Sequence, residues 1–394
     1  MNVFARIKAW LMPGGISLAW RQLSYDKKRF ATAVAGVSFG VIIMLFQQGI
    51  YQAFQILVIR PFVAMQGELA LISPDYQYLL SPGHFPERRL YQTISDEEVE
   101  AVYPVSISYQ KWRNPETGGK VDAALIGVYA GRNPFIIPEV ASREDVLTSP
   151  ENVLYDSGSS PDFGDVAGLF ARQGEVETEI NDQRIRVSGL FSMGQTLAAY
   201  GHVIVGMQTY QRLSGLPSGT INIGMVRLKP GSDPEAAAAR LKQIVPEDVV
   251  VLTREQLIKR EQVYWQNNTP VGFITISGMI LAMFVGAVIV YQILYTDIND
   301  HLKEYATLTA IGLGPGYFVK FIISESMILL FIGFIPGLFV TALLFLLAES
   351  SAELPTRITL FDTTLVFCMA AIMCLIAGFL ATRRLRSVDP ADIF

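Results

Sequence analysis

The chain has 394 residues, 51% of them hydrophobic and 17% charged. A typical soluble protein has about a quarter charged, so these values, with a mean hydropathy of +0.35, exclude a wholly soluble protein and point to a membrane protein with a sizeable soluble part. The net charge of −5 comes without a basic stripe interleaved with aromatics, which excludes nucleic acid as a partner.

In chain order, residues 1–29 read as cytoplasmic interfacial helices. Val3, Phe4, Ile7, Trp10 and Leu11 recur at helical spacing before the breaker Pro13-Gly14-Gly15. Ile16, Ala19, Trp20 and Leu23 do the same, with Arg21 and Gln22 opposite, the pattern of a helix lying on a membrane surface. Apolar sequence begins near Phe30, too late and too long for a cleavable signal. Residues 30–57 are therefore expected to be a retained first span with a stalk extension, since about 20 apolar residues cross the bilayer core. Past Phe46, the residues Gln47, Gln48, Gln52 and Gln55 are too polar for lipid, yet Phe46, Ile50, Phe54 and Leu57 keep helical spacing. Two readings stand: a helix continuing above the membrane, or an ordinary loop.

Residues 58–252 are domain-sized and mix strands with helices. "ELALISP" alternates and ends at Pro74. Ser95 with Glu98 predicts a capping box opening a helix over "DEEVEAVY", and Asp96-Glu97-Glu98 reads as its solvated first turn rather than a metal site. "RIRVSGLFS" and "HVIVGM" predict strands. "INIGMVRLK", "PEAAAARLKQIV" and "DVVVL" predict strand, helix and strand, with Asp233 as N-cap and Pro234 in the first turn. Thr253 with Gln256 predicts a second capping box and a stalk helix over 253–269.

Three further spans are expected at 270–295, 321–348 and 360–381, joined by a cytoplasmic coupling loop at 296–320 and a short periplasmic loop at 349–359, with a cytoplasmic tail at 382–394. Arg6, Lys8, Arg21, Lys27, Lys28 and Arg29 precede the first span, Lys303 and Lys320 flank the 296–320 loop, and Arg383, Arg384 and Arg386 follow the last. Lys and Arg excess marks the cytoplasmic side, which puts both termini and that loop inside and residues 58–252 outside. The expected fold class is an α-helical membrane protein with four transmembrane helices and a large α+β extracytoplasmic domain inserted between helices 1 and 2.

No enzymatic constellation appears. His84, His202 and His301 are in no metal-ligand spacing and read as structural. Cys368 and Cys374 read as small apolar side chains. "GGKV" at 118–121 lacks the rest of a phosphate loop, so ATP would be bound by a separate subunit, and no cofactor or metal is expected. Glu325, in the third span, is open to a functional reading, as intramembrane ionisable residues are, or to snorkelling or pairing near the interface.

The stretch "HLKEYATLTAIGLGPGYFVKFIISES" separates the second and third spans. Leu302, Tyr305, Ala306, Leu308 and Thr309 give it an apolar side, with His301, Lys303, Glu304 and Thr307 more polar. Gly312 suits a left-handed C-cap and Pro315 prevents continuation, so span three is expected to restart near Tyr317. On these residues alone, a lever gripped by a partner and a helix resting on lipid are both open.

One span, a large external domain, three more spans and a short amphipathic helix after the second resemble the MacB/FtsX/LolC permeases, and the DevC type in particular. The residues carrying the resemblance run from "TPVGFITISG" at Thr269 through "FIGFIPG", with "ELALISP", "RRLYQ" from Arg88, "KWRNPETGGK" from Lys111 and "SVDPADIF" at the end. The resemblance implies a permease subunit of a tripartite ABC exporter in the bacterial inner membrane, a homodimer with two ATPase subunits (DevA-like or MacB-ATPase-like). It implies a DevB-like membrane-fusion adaptor, a TolC-like channel and membrane lipid as partners, and efflux of a lipid, glycolipid or other amphiphile as the task. An FtsX-like protein that activates an external enzyme and exports nothing is the alternative. The resemblance also implies that the ATPase-coupling helix is 300–311, with His301, Lys303, Glu304, Leu308, Ala310 and Gly312 at the ATPase and Gly312, Gly314, Pro315 and Gly316 as hinge. The interfacial helix of such permeases corresponds to 16–29.

Overall fold

A computed structural model describes residues 20, 23–310, 314–352 and 359–386. Most of the predicted interfacial helices at 1–29, the coupling-helix end at 311–313 and the tail at 387–394 lie outside them. The chain forms two compact units, one of residues 1–53 with 271–394 and one of residues 54–270.

The first long helix, α1 (Lys27–Val63), starts where Asp26 accepts the backbone N–H of Lys28 and Arg29 at 3.0 and 3.2 Å, an N-cap with no counterpart among the predicted caps. At 37 residues it measures about 55 Å, well beyond the about 30 Å of a bilayer core. Pro61 lies inside it and has no N–H to give Leu57's carbonyl. The backbone N–H of Leu197 donates to that carbonyl instead, at 3.3 Å, and Arg60 Nη1 donates to Gln195 O at 2.7 Å.

The second unit is built on strands β1 (Leu69–Ile72), β2 (Phe85–Pro86), β3 (Val99–Arg113), β4 (Lys120–Val128), β5 (Asn152–Asp156), β6 (Val176–Ile180), β7 (Gln183–Phe191), β8 (His202–Gly206), β9 (Thr220–Ile221), β10 (Ile223–Leu228) and β11 (Val250–Thr253). Nine of them make one mixed sheet in the order β11-β1-β10-β3-β4-β8-β5-β7-β6, while β2 pairs with β9. Its helices in chain order are α2 (Arg88–Gln92), α3 (Pro138–Ala141), α4 (Val166–Gln173), α5 (Met207–Ser214), α6 (Pro234–Ile244) and α7 (Arg254–Asn268). One buried cluster gathers Trp112, Phe163, Tyr210 and Leu241. Another gathers Phe62, Tyr76, Met225 and Leu257. Gly127 on β4 lets α5 close down, because a Cβ there would lie 2.6 Å from Tyr210.

The expected strands at 183–191, 202–206, 223–228 and 250–253 and the Asp233-capped helix α6 form. So does the Thr253–Gln256 capping box that opens α7. The helix expected over "DEEVEAVY" does not. Ser95 Oγ donates to Gln92 O rather than taking the Glu98 N–H, and from Val99 the chain is β3, paired with β10 and β4. Two ladders and the burial of Val102 and Val105 outweigh a local cap. The acidic run is not a solvated turn either: Arg240 holds Asp96 at 2.8 Å and Glu98 at 2.6 Å.

The loop 192–201 hangs on Asp156, whose carboxylate accepts the N–H groups of Gly158, Met193 and Gly194 and faces the His202 ring at 3.2 Å. Burial raises this carboxyl, but the hydrogen bond and charge of His202 and the N–H groups of Gly158 and Met193 outweigh it and hold it below the ordinary value. A depressed carboxyl stabilises the fold above its unfolded pKa and loses that contribution as pH falls through the folded one. Asp156→Asn is therefore expected to cost about 1–3 kcal/mol at neutral pH. The gap between variant and parent should close on acidification below about pH 4, read from thermal unfolding across pH.

The remaining helices are α8 (Pro270–Asp300), α9 (Leu302–Ala310), α10 (Pro315–Ala352) and α11 (Leu360–Arg386). Four stretches are long and apolar enough to cross a membrane: Lys27–Val63, Pro270–Asp300, Gly316–Ala348 and Leu360–Arg383. The fold is thus four apolar helices with the mixed-sheet domain between the first and the second. In the helical unit, small residues bring backbones together. A Cβ on Gly40 would lie 3.4 Å from Gly286 Cα, and one on Gly333 would lie 2.8 Å from Val37. Three of the four glutamines of α1 that look too polar for lipid bond other helices. Gln48 and Gln52 donate to Asp362 at 2.9 and 2.6 Å, and Gln47 donates to Thr275 O at 3.1 Å.

Candidate functional site

Helix α8 runs five residues past the expected end of the second span, to Asp300, and its last turn carries Asp297 and Asp300. Arg29, in the first turn of α1, reaches both. Nη1 bonds Asp300 at 2.7 Å and Nη2 lies 3.4 Å from Asp297. The Asp297 side chain is 8% exposed and that of Arg29 26%, so this pair is only partly screened by solvent. His301 Nδ1 lies 3.0 Å from Asp297 O. A cavity of about 210 Å³ opens beside the cluster, with Leu23, Arg29, Ala33, Ile293, Asp297 and His301 among its walls.

His301 is the single turn residue between α8 and α9. Its N–H takes Asp297 O, and its own carbonyl accepts from Glu304 and Tyr305, so α9 leaves α8 with almost no slack. Tyr305 is buried and packs edge-on against Phe318 at 5.6 Å and Phe321 at 6.2 Å, both on α10. Lys303, Glu304 and Thr307 are exposed, and Leu302 and His301 half-buried. The result is a nine-residue helix in which, among the described side chains, Tyr305 is buried and Lys303, Glu304 and Thr307 are left open.

Of the predicted coupling residues, His301, Lys303 and Glu304 thus stand on or beside this helix. Leu308 and Ala310 are helical in backbone, and Gly312, the predicted C-cap, lies outside the described residues. Of the predicted hinge, Gly314 and Gly316 have open space where a Cβ would stand. Helix α10 opens at Pro315 rather than near Tyr317, because proline fits the first turn of a helix, where its missing N–H costs nothing. The Arg29–Asp297–Asp300 cluster was not foreseen. Three charged residues at the ends of two apolar runs were its only sequence signal, and charge in such places reads first as topology.

Glu325 is fully buried on α10, and neither carboxyl oxygen has a hydrogen-bond partner among the described residues. Snorkelling to an interface is excluded by that burial. Among the described residues no group of His, Cys, Asp and Glu is arranged to hold a metal ion.

Two family models match. The FtsX-like permease C-terminal model covers residues 276–390, which hold α9, α10 and most of α8 and α11. The MacB-like periplasmic core domain model covers residues 30–244, more than half of the chain. The chain belongs to the MacB/FtsX permease superfamily. No curated protein matches this permease. Its fold is similar to the periplasmic region of MacB from Actinobacillus actinomycetemcomitans, at 12% identity over 52% of this chain and 97% of that one, with a TM-score of 0.35. It is also similar to the extracellular domain of the noncanonic ABC-type transporter YknZ from Gram-positive bacteria, at 15% identity over 47% and 98%, with a TM-score of 0.33. Permeases of this superfamily work with an ABC ATPase partner. In this permease α9 is the connection between its second and third spans, so the charged clamp on α1 and the aromatic seat on α10 both meet at that connection.

Proposed function

We propose that this permease is the membrane subunit of an ABC exporter in the bacterial inner membrane, and that α9 is the element its ATPase grips. The observation that carries the reading is the geometry of α9: a helix with Tyr305 locked onto α10 and Lys303, Glu304 and Thr307 left open. Motion of α9 passes through His301 to α8, and through Arg29 to the base of α1. Gly314 and Gly316 give the joint to α10 its freedom.

In this reading both termini and the 296–320 loop are cytoplasmic, following the Lys and Arg bias. The chain has no catalysis and no cofactor of its own, and the partner subunit binds ATP. Two permeases pair along the groove beside Ala35, Gly36 and Ile289, where small residues permit close approach. The strongly exposed apolar side chains Phe273, Phe284 and Ile280 of α8 face lipid or the second copy. The DevC-type resemblance extends the reading to a DevB-like adaptor, a TolC-like channel and a lipid, glycolipid or other amphiphile as cargo.

Affinity purification of the full chain in mild detergent tests this reading. Recovery of an ABC ATPase together with a periplasmic adaptor of the membrane-fusion type supports it. An ATPase recovered with an external hydrolase and no adaptor would favour FtsX-like activation, and purification without any ATPase would overturn both.

A further inference from the structure

The last turns of α7 carry a group of rings that the coupling reading does not use. Tyr78, from the loop after β1, stacks on Tyr264 with centroids 4.9 Å apart and planes at 16°. It meets Trp265 edge-on at 5.6 Å. All three are half-buried, and the hydroxyls of Tyr78 and Tyr264 have no hydrogen-bond partner among the described residues. We propose that these three rings are a membrane anchor, seated in the lipid headgroup layer and tying the loop after β1 to the bilayer.

Chain connectivity limits how far the rings can stand from the second span. The apolar helix α8 opens at Pro270. Helix α7 persists through Asn268, so most of the steps from Trp265 rise only about 1.5 Å each. Even with the last two residues fully extended, Trp265 lies within about 12 Å of Pro270. The headgroup region adds about 5–7 Å on each side of the hydrocarbon core. Tyrosine and tryptophan concentrate at this level because a flat apolar ring and a polar tip suit a boundary that is itself half wet.

The rings are also held in place from below. Glu261 is 1% exposed. Its carboxylate accepts Trp265 Nε1 at 3.0 Å, the Tyr76 hydroxyl at 2.8 Å and the Leu79 N–H at 3.0 Å. Burial pushes the Glu261 carboxyl above its usual range in spite of these donors. Arg260 adds a bond to Tyr76 O at 2.7 Å. Little side-chain freedom is left to lose on contact with lipid. On the outer face of α7, Val263 is 44% exposed, and the exposed Lys259 lies one turn further from the span on the same face.

The test is tryptophan fluorescence of the full chain in phosphatidylcholine–phosphatidylglycerol nanodiscs, parent against Trp265→Phe. The difference isolates Trp265 from Trp10, Trp20 and Trp112, and equal thermal midpoints verify that the conservative variant folds. The Trp265 component is expected to lose about half its intensity or more when TEMPO-headgroup lipid is included, and to resist aqueous iodide. Tyr78→Ala with Tyr264→Ala should raise its iodide quenching about twofold. Quenching by iodide alone would overturn the proposal, and so would protection from both quenchers, which would mean a protein partner covers the rings.

Discussion

Replacing Arg29 with alanine is expected to destabilise the helical unit by about 3 kcal/mol, the lower end of the range for breaking a buried ion pair. The lower end applies because a quarter of the Arg29 side chain stays in contact with solvent. The loss arises less from the missing attraction than from what it leaves behind: the Asp297 carboxylate, almost wholly removed from solvent, with its arginine gone. The double variant Arg29→Ala with Asp297→Asn should therefore recover part of the loss, since removing both charges of a buried pair costs less than removing one. Arg29→Lys should fall in between. An ammonium keeps the charge but cannot span two carboxylates as a guanidinium does, and here those carboxylates stand one turn apart on α8. The measurement is thermal unfolding in detergent, with all four proteins compared at one ionic strength.

The same variant has a mechanical reading. Helix α1 is held to the other helices by polar contacts at its first turn, Arg29 to α8, and beyond its middle, Gln48 and Gln52 to Asp362 on α11. If motion of α9 reaches α1 through Arg29, then Arg29→Ala removes the first link while the Asp362 contacts remain. In the exporter proposed above, export should fall much further than the stability loss explains, and the double variant should recover stability without recovering export.

How far the sequence carried this molecule depended on how far apart the interacting residues lie. The Thr253–Gln256 box spans three residues, the Asp233 cap two, and the strands at 183–191 and 223–228 hold their own pattern; all were legible. "DEEVEAVY" has an equally good local signal for helix and is strand in part, because β10, remote in sequence, claims its backbone. Gln48 and Gln52 of α1 read as too polar for lipid. Their reason, a carboxylate on α11 some 310 positions away, has no trace near them. Arg29 and Asp300 are 271 positions apart. In the candidate site, α9 was found because it is short, amphipathic and flanked by apolar runs, whereas the clamp that connects it to α1 needed coordinates.

The most direct test concerns the open edge of α9. Co-expression of the permease with its ATPase and reconstitution in nanodiscs allows bound ATPase and ATP hydrolysis to be measured together. The parent is compared with the triple variant Lys303→Ala, Glu304→Ala, Thr307→Ala. All three side chains are exposed and Tyr305 is kept, so the seat of α9 on Phe318 and Phe321 is untouched. Surface substitutions of this kind change stability by no more than about 0.5 kcal/mol each, and an unchanged thermal midpoint would verify it. Truncating the side chains through which a docking helix of this size is gripped should instead cost about 2–4 kcal/mol of binding, enough to strip the ATPase from the complex and lower permease-stimulated hydrolysis at least tenfold. If the triple variant retains its ATPase and hydrolyses ATP at the parent rate, α9 is not the handle and the account of how this permease is driven is wrong.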